Sequence, residues 1–222
     1  MVYNNNMKTL LFCTAYFNNN LYRYIEWVNY NKNIFPEYDL LLVHDGPINK
    51  SDMDEIISSC NGVITEDNFI YFEDKLPRNY HIFPGWWRSF ITATKYYGIL
   101  NYDKIVHIES DAYILSKRMI NFIKNKNESW TVPMTRKYGF PESAIQIICK
   151  DCFNLIENLP DEFDFHCIVE MYLPFQYHAV NFVGDRYGET GQLPPYKVDY
   201  VCQWDPNWDI PSDWIIESTT QD

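Results

Sequence analysis

The chain has 222 residues, with 30 Asp and Glu against 18 Lys and Arg, for a net charge of −12. That length suits one large domain or two small ones with room for a real core. The negative balance argues against a nucleic-acid binder and means that any anionic ligand needs a cation or a local basic cluster. Aromatic residues are abundant, with 18 Tyr, 14 Phe and 7 Trp, and their faces suit bases and sugar rings as well as cores. Six cysteines, Cys13, Cys60, Cys149, Cys152, Cys167 and Cys202, are scattered. They read as reduced, mostly buried thiols, which implies a reducing, cytoplasmic compartment. Cys149 and Cys152 form a CxxC without the second pair that zinc requires. No stretch reaches the length of a membrane span, and no signal-peptide cleavage pattern is visible.

In chain order, residues 1–7 read as a disordered leader. Thr9 to Tyr16 is a near-continuous apolar run, as expected of a central parallel strand. Asn20 is placed to cap a helix reaching about Asn33, with Tyr24, Ile25, Trp27 and Val28 as its apolar stripe. Asp39 to His44 is the second strand, closed by the turn signal Asp45-Gly46-Pro47. Ser51 to Asp54 reads as a capping box for a helix carrying Met53, Ile56, Ile57 and Cys60. Phe69 to Phe72 is a short third strand, followed by a polar loop over residues 73–84. Gly85-Trp86-Trp87-Arg88-Ser89 opens a helix to about Leu100.

Ile105 to Glu109 is the fourth strand. Ser116 caps a helix through Ile123, although Lys117 and Arg118 in its first turn oppose the helix dipole. Trp130 to Met134 and Ser143 to Cys149 are further strands. Asp151 is placed to cap a helix with Cys152, Leu155, Ile156 and Leu159, and another helix runs from about Phe163 to Tyr172. Beyond Phe175 the periodicity fades, and Gly184 to Gly188 reads as a loop. The tail is irregular but too aromatic for disorder. Alternation of strands and helices predicts an α/β fold: a mixed, mostly parallel central sheet flanked by helices on both faces.

The chemistry concentrates at the end of the fourth strand. Glu109-Ser110-Asp111 places two carboxylates at i and i+2, which share a side in extended chain. Two like charges ending a buried strand require compensation. A hard divalent cation supplies it, since carboxylate oxygens suit Mg²⁺ or Mn²⁺. Ligands of open α/β sheets sit beyond the carboxyl ends of strands, which makes this edge the expected site. A solvent-exposed acidic turn is the plainer alternative on spacing alone.

Taken together, the first strand and helix, the strand ending in Asp45-Gly46, the Gly85-Trp86-Trp87-Arg88 helix and the acidic strand end resemble a GT-A glycosyltransferase. Compact glycosyltransferase domains of large DNA viruses (chlorella virus type) and bacterial surface-polysaccharide enzymes are the similar members. The resemblance covers roughly residues 8–172. It departs at Glu109, which stands where the DxD motif has its first acid, so Asp111 carries the stronger metal assignment.

The resemblance implies a single GT-A-like domain over residues 8–216, with a nucleotide-binding half (8–115), an acceptor half (116–216) and a tail or linker (217–222). It implies Thr14, Ala15, Tyr16, Asp45, Arg88, Glu109 and Ser110 as contacts of the nucleotide and Asp111 with Glu109 as metal ligands for Mn²⁺ or Mg²⁺. Glu170, or next to it Asp164, would be the catalytic base of an inverting reaction. The donor would be a UDP-sugar, the acceptor a glycan or glycoprotein, and the sugar moved a hexose or deoxyhexose. Plainer roles stand beside each of these: a turn Asp at 45, a surface Arg at 88, an exposed helix carboxylate at 170, core packing for Trp86 and Trp87.

His107, inside the acidic strand, reads as a satisfied core residue. His178 is a weaker metal candidate. Arg136, Lys137 and Arg186 are candidate phosphate partners, and Trp204 and Trp208 with Asp205 and Asp209 are a candidate acceptor cradle, with core packing the safer reading for the Trp pair. Two other classes compete. A sugar nucleotidyltransferase would carry a Gly-rich loop after the first strand, and residues 15–20 contain no Gly. A non-catalytic carbohydrate-binding module would be mostly a β-sandwich.

Overall fold

The computed structural model describes residues 7–16, 20–77, 83–162, 168–190, 194 and 197–204. The expectations for the leader, for Asp164, Cys167, Asp205, Trp208 and Asp209, and for residues 217–222 lie outside these.

The apolar run at the start becomes β1 (Thr9–Ala15), buried over all but its last residue. It pairs in parallel with β2 (Asp39–His44) on one side and β4 (Lys104–Ile108) on the other. The helices between them are α1 (Tyr22–Ile34) and α2 (Lys50–Ser59). Then come β3 (Phe69–Tyr71) and α3 (Pro84–Ile91). α3 runs on through a π-helical stretch (Thr92–Gly98) into α4 (Ile99–Asn101). After β4 follow β5 (Tyr113–Ile114), α5 (Lys117–Asn125), β6 (Trp130–Pro133), β7 (Ile145–Cys149) and α6 (Phe153–Glu157). The last elements among the described residues are α7 (Val169–Tyr172), β8 (Tyr177–Ala179), β9 (Gly184–Asp185) and β10 (Tyr200–Val201).

The main sheet has the order β3-β2-β1-β4-β7-β6-β8. Only β7 runs against the others, antiparallel to both β4 and β6. Alternate residues of the central strands feed two separate cores. Leu11, Cys13, Leu40, Leu42, Val106 and Ile108 pack against α1, α2 and α5. Leu10, Phe12, Leu41, Val43 and Ile105 pack against α3, α6 and α7. The sheet is thus covered by helices on both faces, as the sequence predicts. A small second sheet, β5-β10-β9, sits over a third cluster of Tyr113, Leu115, Val198, Val201 and Trp204. Trp204 is therefore a core residue, 2% exposed.

Several local expectations are corrected. α1 has no side-chain cap; Leu21, not Asn20, stands at its N-cap position. α2 is capped by Asn49, whose side chain accepts from Asp52 N, while Ser51 only donates to Asn49 Oδ1. Asp151 does not cap its helix: both of its carboxylate oxygens accept from Ser129 N. Ser116 does cap α5, accepting from Met119 N. Arg118 in that first turn is neutralised by Asp199, whose Oδ1 also takes Ser116 Oγ at 2.5 Å and whose Oδ2 takes Val183 N at 2.6 Å. This saturated carboxylate ties the late segment of the chain to the start of α5. At the other end of α5, the buried Lys104 donates to the carbonyls of Ile123 and Lys124 at 3.0 Å each. It thus satisfies groups that a helix C-terminus leaves bare.

Candidate functional site

Parallel strands β1, β2 and β4 end side by side, so the residues at and just past their ends converge: Thr14 to Tyr16, Asp45, and Glu109 to Asp111. α3 starts against the same edge. Pro84 and Gly85 open it, and a Cβ at Gly85 would stand 1.6 Å from Asp45 Oδ2. Only glycine lets the carboxylate lie this close to the helix start.

Two cavities open along this edge. The first, about 280 Å³, is lined by Thr14, Ala15, Tyr16, Asp45, Lys75 and Trp86 among others. Tyr16 stacks on His44 at 5.4 Å, and Lys75 Nζ lies 3.2 Å from the centre of the Tyr16 ring. Thr14 Oγ1 meets His107 Nε2 at 3.1 Å. Burial pushes His107 down to about 3, so it is neutral and bonded to Thr14 and to the Ser143 carbonyl at 3.3 Å, as expected of a core residue. Asp45 Oδ1 accepts from Arg88 Nη2 at 2.6 Å. Arg88 is further held by Asp74 Oδ1 at 2.9 Å and by the Asp74 carbonyl at 2.7 Å. Arg88 lines neither cavity; it reaches the site through Asp45.

The second cavity, about 610 Å³, is lined by aromatic Phe83, Trp86, Trp87, Tyr138 and Phe140 and by Glu109, Glu142, Glu170, Glu189 and Arg186. Phe83 and Trp86 line both cavities, so the two adjoin across them. Trp87 is core-bound, 1% exposed, with its indole N–H on the Pro160 carbonyl at 3.0 Å. Trp86 is the one of the two that lines both cavities, and it donates to Glu109 Oε1 at 2.6 Å.

Glu170 lies in α7, and its Oε1 accepts from Ser143 Oγ at 2.9 Å and from Arg186 Nη2 at 2.7 Å. Arg186 also grips the fully buried Glu142 with two bonds, at 2.8 and 2.9 Å. The guanidinium proposed from sequence as a phosphate partner is therefore spent on protein carboxylates. Lys137 is engaged with Tyr138 at 2.6 Å. His178 is exposed on the edge strand β8 and lines neither cavity.

The acidic pair itself is half-buried. Burial, with the charges of Asp111 and Glu142, pushes Glu109 up to about 8. Burial also raises Asp111, against the pull of Arg23. Asp111 Oδ2 accepts from Arg23 Nη2 at 2.5 Å, whereas Oδ1 is buried with no hydrogen-bond partner among the described residues. Asp111 lines neither cavity, and Ser110, 2% exposed, lies inward between the two acids. No group of three or more His, Cys, Asp or Glu side chains poised for a metal occurs among the described residues.

Two crowded carboxylates with an orphaned buried oxygen do fit a hard cation. Mg²⁺-type ions are commonly held by one or two carboxylates, with phosphate oxygens and water completing the shell. Sequence reasoning missed Glu142, Lys75 and Arg23. Arg23 had a readable signal: an arginine in a helix's first turn, where the dipole disfavours it.

No protein-family model matches this chain, and no curated protein matches it. Solved structures do match. The galactosyltransferase LgtC in complex with donor and acceptor sugar analogues is similar with a TM-score of 0.54 and 11% identity, over 87% of this chain and 86% of that one. An active-site mutant of LgtC gives a TM-score of 0.53 at 11% identity over the same shares, 87% and 86%. A glycosyltransferase involved in glycosylating the major capsid of PBCV-1 aligns over 88% of this chain and 94% of that one at 13% identity. Its TM-score is 0.43. No helix among the described residues is long and apolar enough to cross a membrane. By its sheet order, its two helical layers and its likeness to LgtC, the chain has a GT-A-like α/β fold.

Proposed function

We propose that the chain is a metal-dependent glycosyltransferase that moves a sugar from a nucleoside-diphosphate donor, UDP-linked, to a hydroxyl of a glycan, with inversion. The observation that carries this reading is the place of Glu109. It stands at the carboxyl end of β4, lines the larger cavity, and is bonded to Trp86, the wall shared with the smaller one. In this proposal the nucleoside occupies the smaller cavity, between Tyr16 and Asp45, and the sugar and acceptor occupy the larger one. The nucleotide-binding half is thus residues 8–115, and the acceptor half, from 116 onward, supplies Glu170.

Glu109 and Asp111 would hold Mn²⁺ or Mg²⁺, which when bound neutralises charge developing on the departing diphosphate. The other steps belong to the chain. Asp45, fixed by Arg88, takes a hydroxyl or N–H of the nucleoside. The aromatic walls stack on the sugar while their carboxylate neighbours accept its hydroxyls. Glu170, aligned by Ser143 and Arg186 through Oε1, accepts the proton of the acceptor hydroxyl as the hydroxyl oxygen bonds to the anomeric carbon and the bond from that carbon to the diphosphate oxygen on the opposite face breaks.

The α/β architecture removes the β-sandwich on which a carbohydrate-binding module would rest. The test is release of UDP from UDP-hexoses and UDP-deoxyhexoses, with and without Mn²⁺ and glycan acceptors. Metal-dependent release supports the transferase. Turnover that needs pyrophosphate would instead favour a nucleotidyltransferase, and no turnover of any donor would leave the reading without its reaction.

A further inference from the structure

Among the described residues, two helices carry in their first turn an arginine that the helix dipole disfavours, and in each an aspartate from a distant segment offsets it. Arg118 of α5 meets Asp199, and Arg23 of α1 meets Asp111 across 88 residues of sequence. The two pairs differ in completeness. Both Asp199 oxygens accept further bonds, from Ser116 Oγ and Val183 N. In the other pair Asp111 Oδ1 and Arg23 Nε are both buried without a hydrogen-bond partner among the described residues. An orphaned buried donor and an orphaned buried acceptor within one ion pair are costly. They mark an arrangement completed by something else, and the pair borders Glu109, at the wall of the proposed sugar cavity.

We infer that Arg23 is the resident counter-ion of Asp111, giving it up to an incoming divalent cation and turning to the donor's diphosphate. The inference rests on the metal reading above. Its physical basis is charge conservation at a crowded site. Without ligand, the guanidinium offsets Asp111, while Glu109 is held by the Trp86 indole and feels the charge of Arg186. With a divalent ion in place it would be a like charge at contact distance, and the diphosphate would be an anion for it to pair. A guanidinium fork suits two phosphate oxygens, and the Nε that lacks a partner is one of the donors such a fork uses.

The experiment follows free Mn²⁺ by electron paramagnetic resonance during titration of the protein without nucleotide, at about pH 9, where proton competition for carboxylates is small. Arg23→Met should bind Mn²⁺ at least about tenfold more tightly than the unaltered protein, a small part of the contact repulsion expected at an effective dielectric of about 20. Arg118→Met, which breaks the saturated pair, should leave Mn²⁺ affinity unchanged. In calorimetry with saturating Mn²⁺, Arg23→Met should bind UDP at least about tenfold more weakly, as loss of a charge-assisted fork implies. Metal affinity and nucleotide affinity thus move in opposite directions, which a purely structural role for Arg23 would not produce.

Unchanged or weaker Mn²⁺ binding by Arg23→Met, or undiminished UDP binding, would overturn the inference. If circular dichroism shows Arg23→Met to be unfolded, Arg23→Lys serves, and its two affinities should shift in the same opposite senses by less. Adding Asp111→Asn to Arg23→Met separates the two readings. If the double variant loses Mn²⁺ while Arg23→Met binds no tighter than the unaltered protein, the Arg23 inference alone fails. If the double variant keeps the ion, or no variant ever binds it, the metal reading fails as well.

Discussion

The indole N–H of Trp86 donates to Glu109 Oε1 at 2.6 Å, joining the wall shared by two cavities to the first acid past β4. The bond holds Glu109 toward its charged form against burial and its acidic neighbours. Trp86→Phe keeps the wall and removes the donor. A hydrogen bond to a charged group contributes about 1.5–3 kcal/mol, which corresponds to about one pH unit or more. The midpoint of the pH dependence of Mn²⁺-stimulated UDP binding should therefore move up by about that much. Binding followed from pH 6 to pH 9 (both values approximate) checks this.

Glu109 also ties stability to pH. Its folded value, about 8, lies above the ordinary carboxylate value of 4.5. The folded state then holds the proton more tightly than the unfolded state between those two values. Without metal, stability should fall as pH rises through that window. Glu109→Gln removes the ionisation, so its melting temperature should be flatter with pH and exceed that of the unaltered protein on the alkaline side. Thermal melts across the window, in a chelator, decide it, and an unaltered slope in Glu109→Gln would assign the effect elsewhere.

Gly85 and Asp45 give a test of the nucleoside subsite. A methyl group at Gly85 cannot coexist with Asp45 Oδ2 at 1.6 Å, so Gly85→Ala must displace the carboxylate from the start of α3 and strain its bond to Arg88. Overpacking of this kind costs about 1–3 kcal/mol. UDP affinity should fall about tenfold or more, the equivalent of one lost polar contact. Arg88→Met should show a similar loss of affinity with less change in melting temperature.

Glu170→Gln should spare donor binding and slow transfer to the acceptor by about 10²–10⁴-fold, the range of general-base contributions. Transfer assays at saturating donor and acceptor measure it. Unchanged transfer would place the base elsewhere in the acceptor half.

The fold was legible where apolar runs were long and punctuated. Leu40 to Val43 followed by Asp45-Gly46 gave β2 its observed ends, and the same logic found β1, β4 and β7. Strands β5, β9 and β10 were illegible because each has two residues, too few for any period. Capping choices failed where two capping residues compete. Asn49 is held in extended backbone and accepts from Asp52, so Ser51 is left to bond Asn49 instead.

The acidic pair, Asp45 and the first-strand contacts were visible as strand-end residues. Their restraints were not. Arg23 reaches Asp111 across 88 residues and Arg186 reaches Glu142 across 44, and no local pattern encodes such pairings. The same is true of Arg88, whose expected ligand contact is occupied by Asp45 and Asp74.

Asp111 is the residue on which metal-dependent donor binding turns in the proposed site. Calorimetric titration of UDP into the unaltered protein and Asp111→Ala, each with Mn²⁺ and with chelator, isolates it. The prediction is tight binding in the unaltered protein only with Mn²⁺, and binding in Asp111→Ala that is weak and indifferent to the metal. Metal-stimulated binding of equal strength in both proteins would contradict the assignment of the cation to the end of β4.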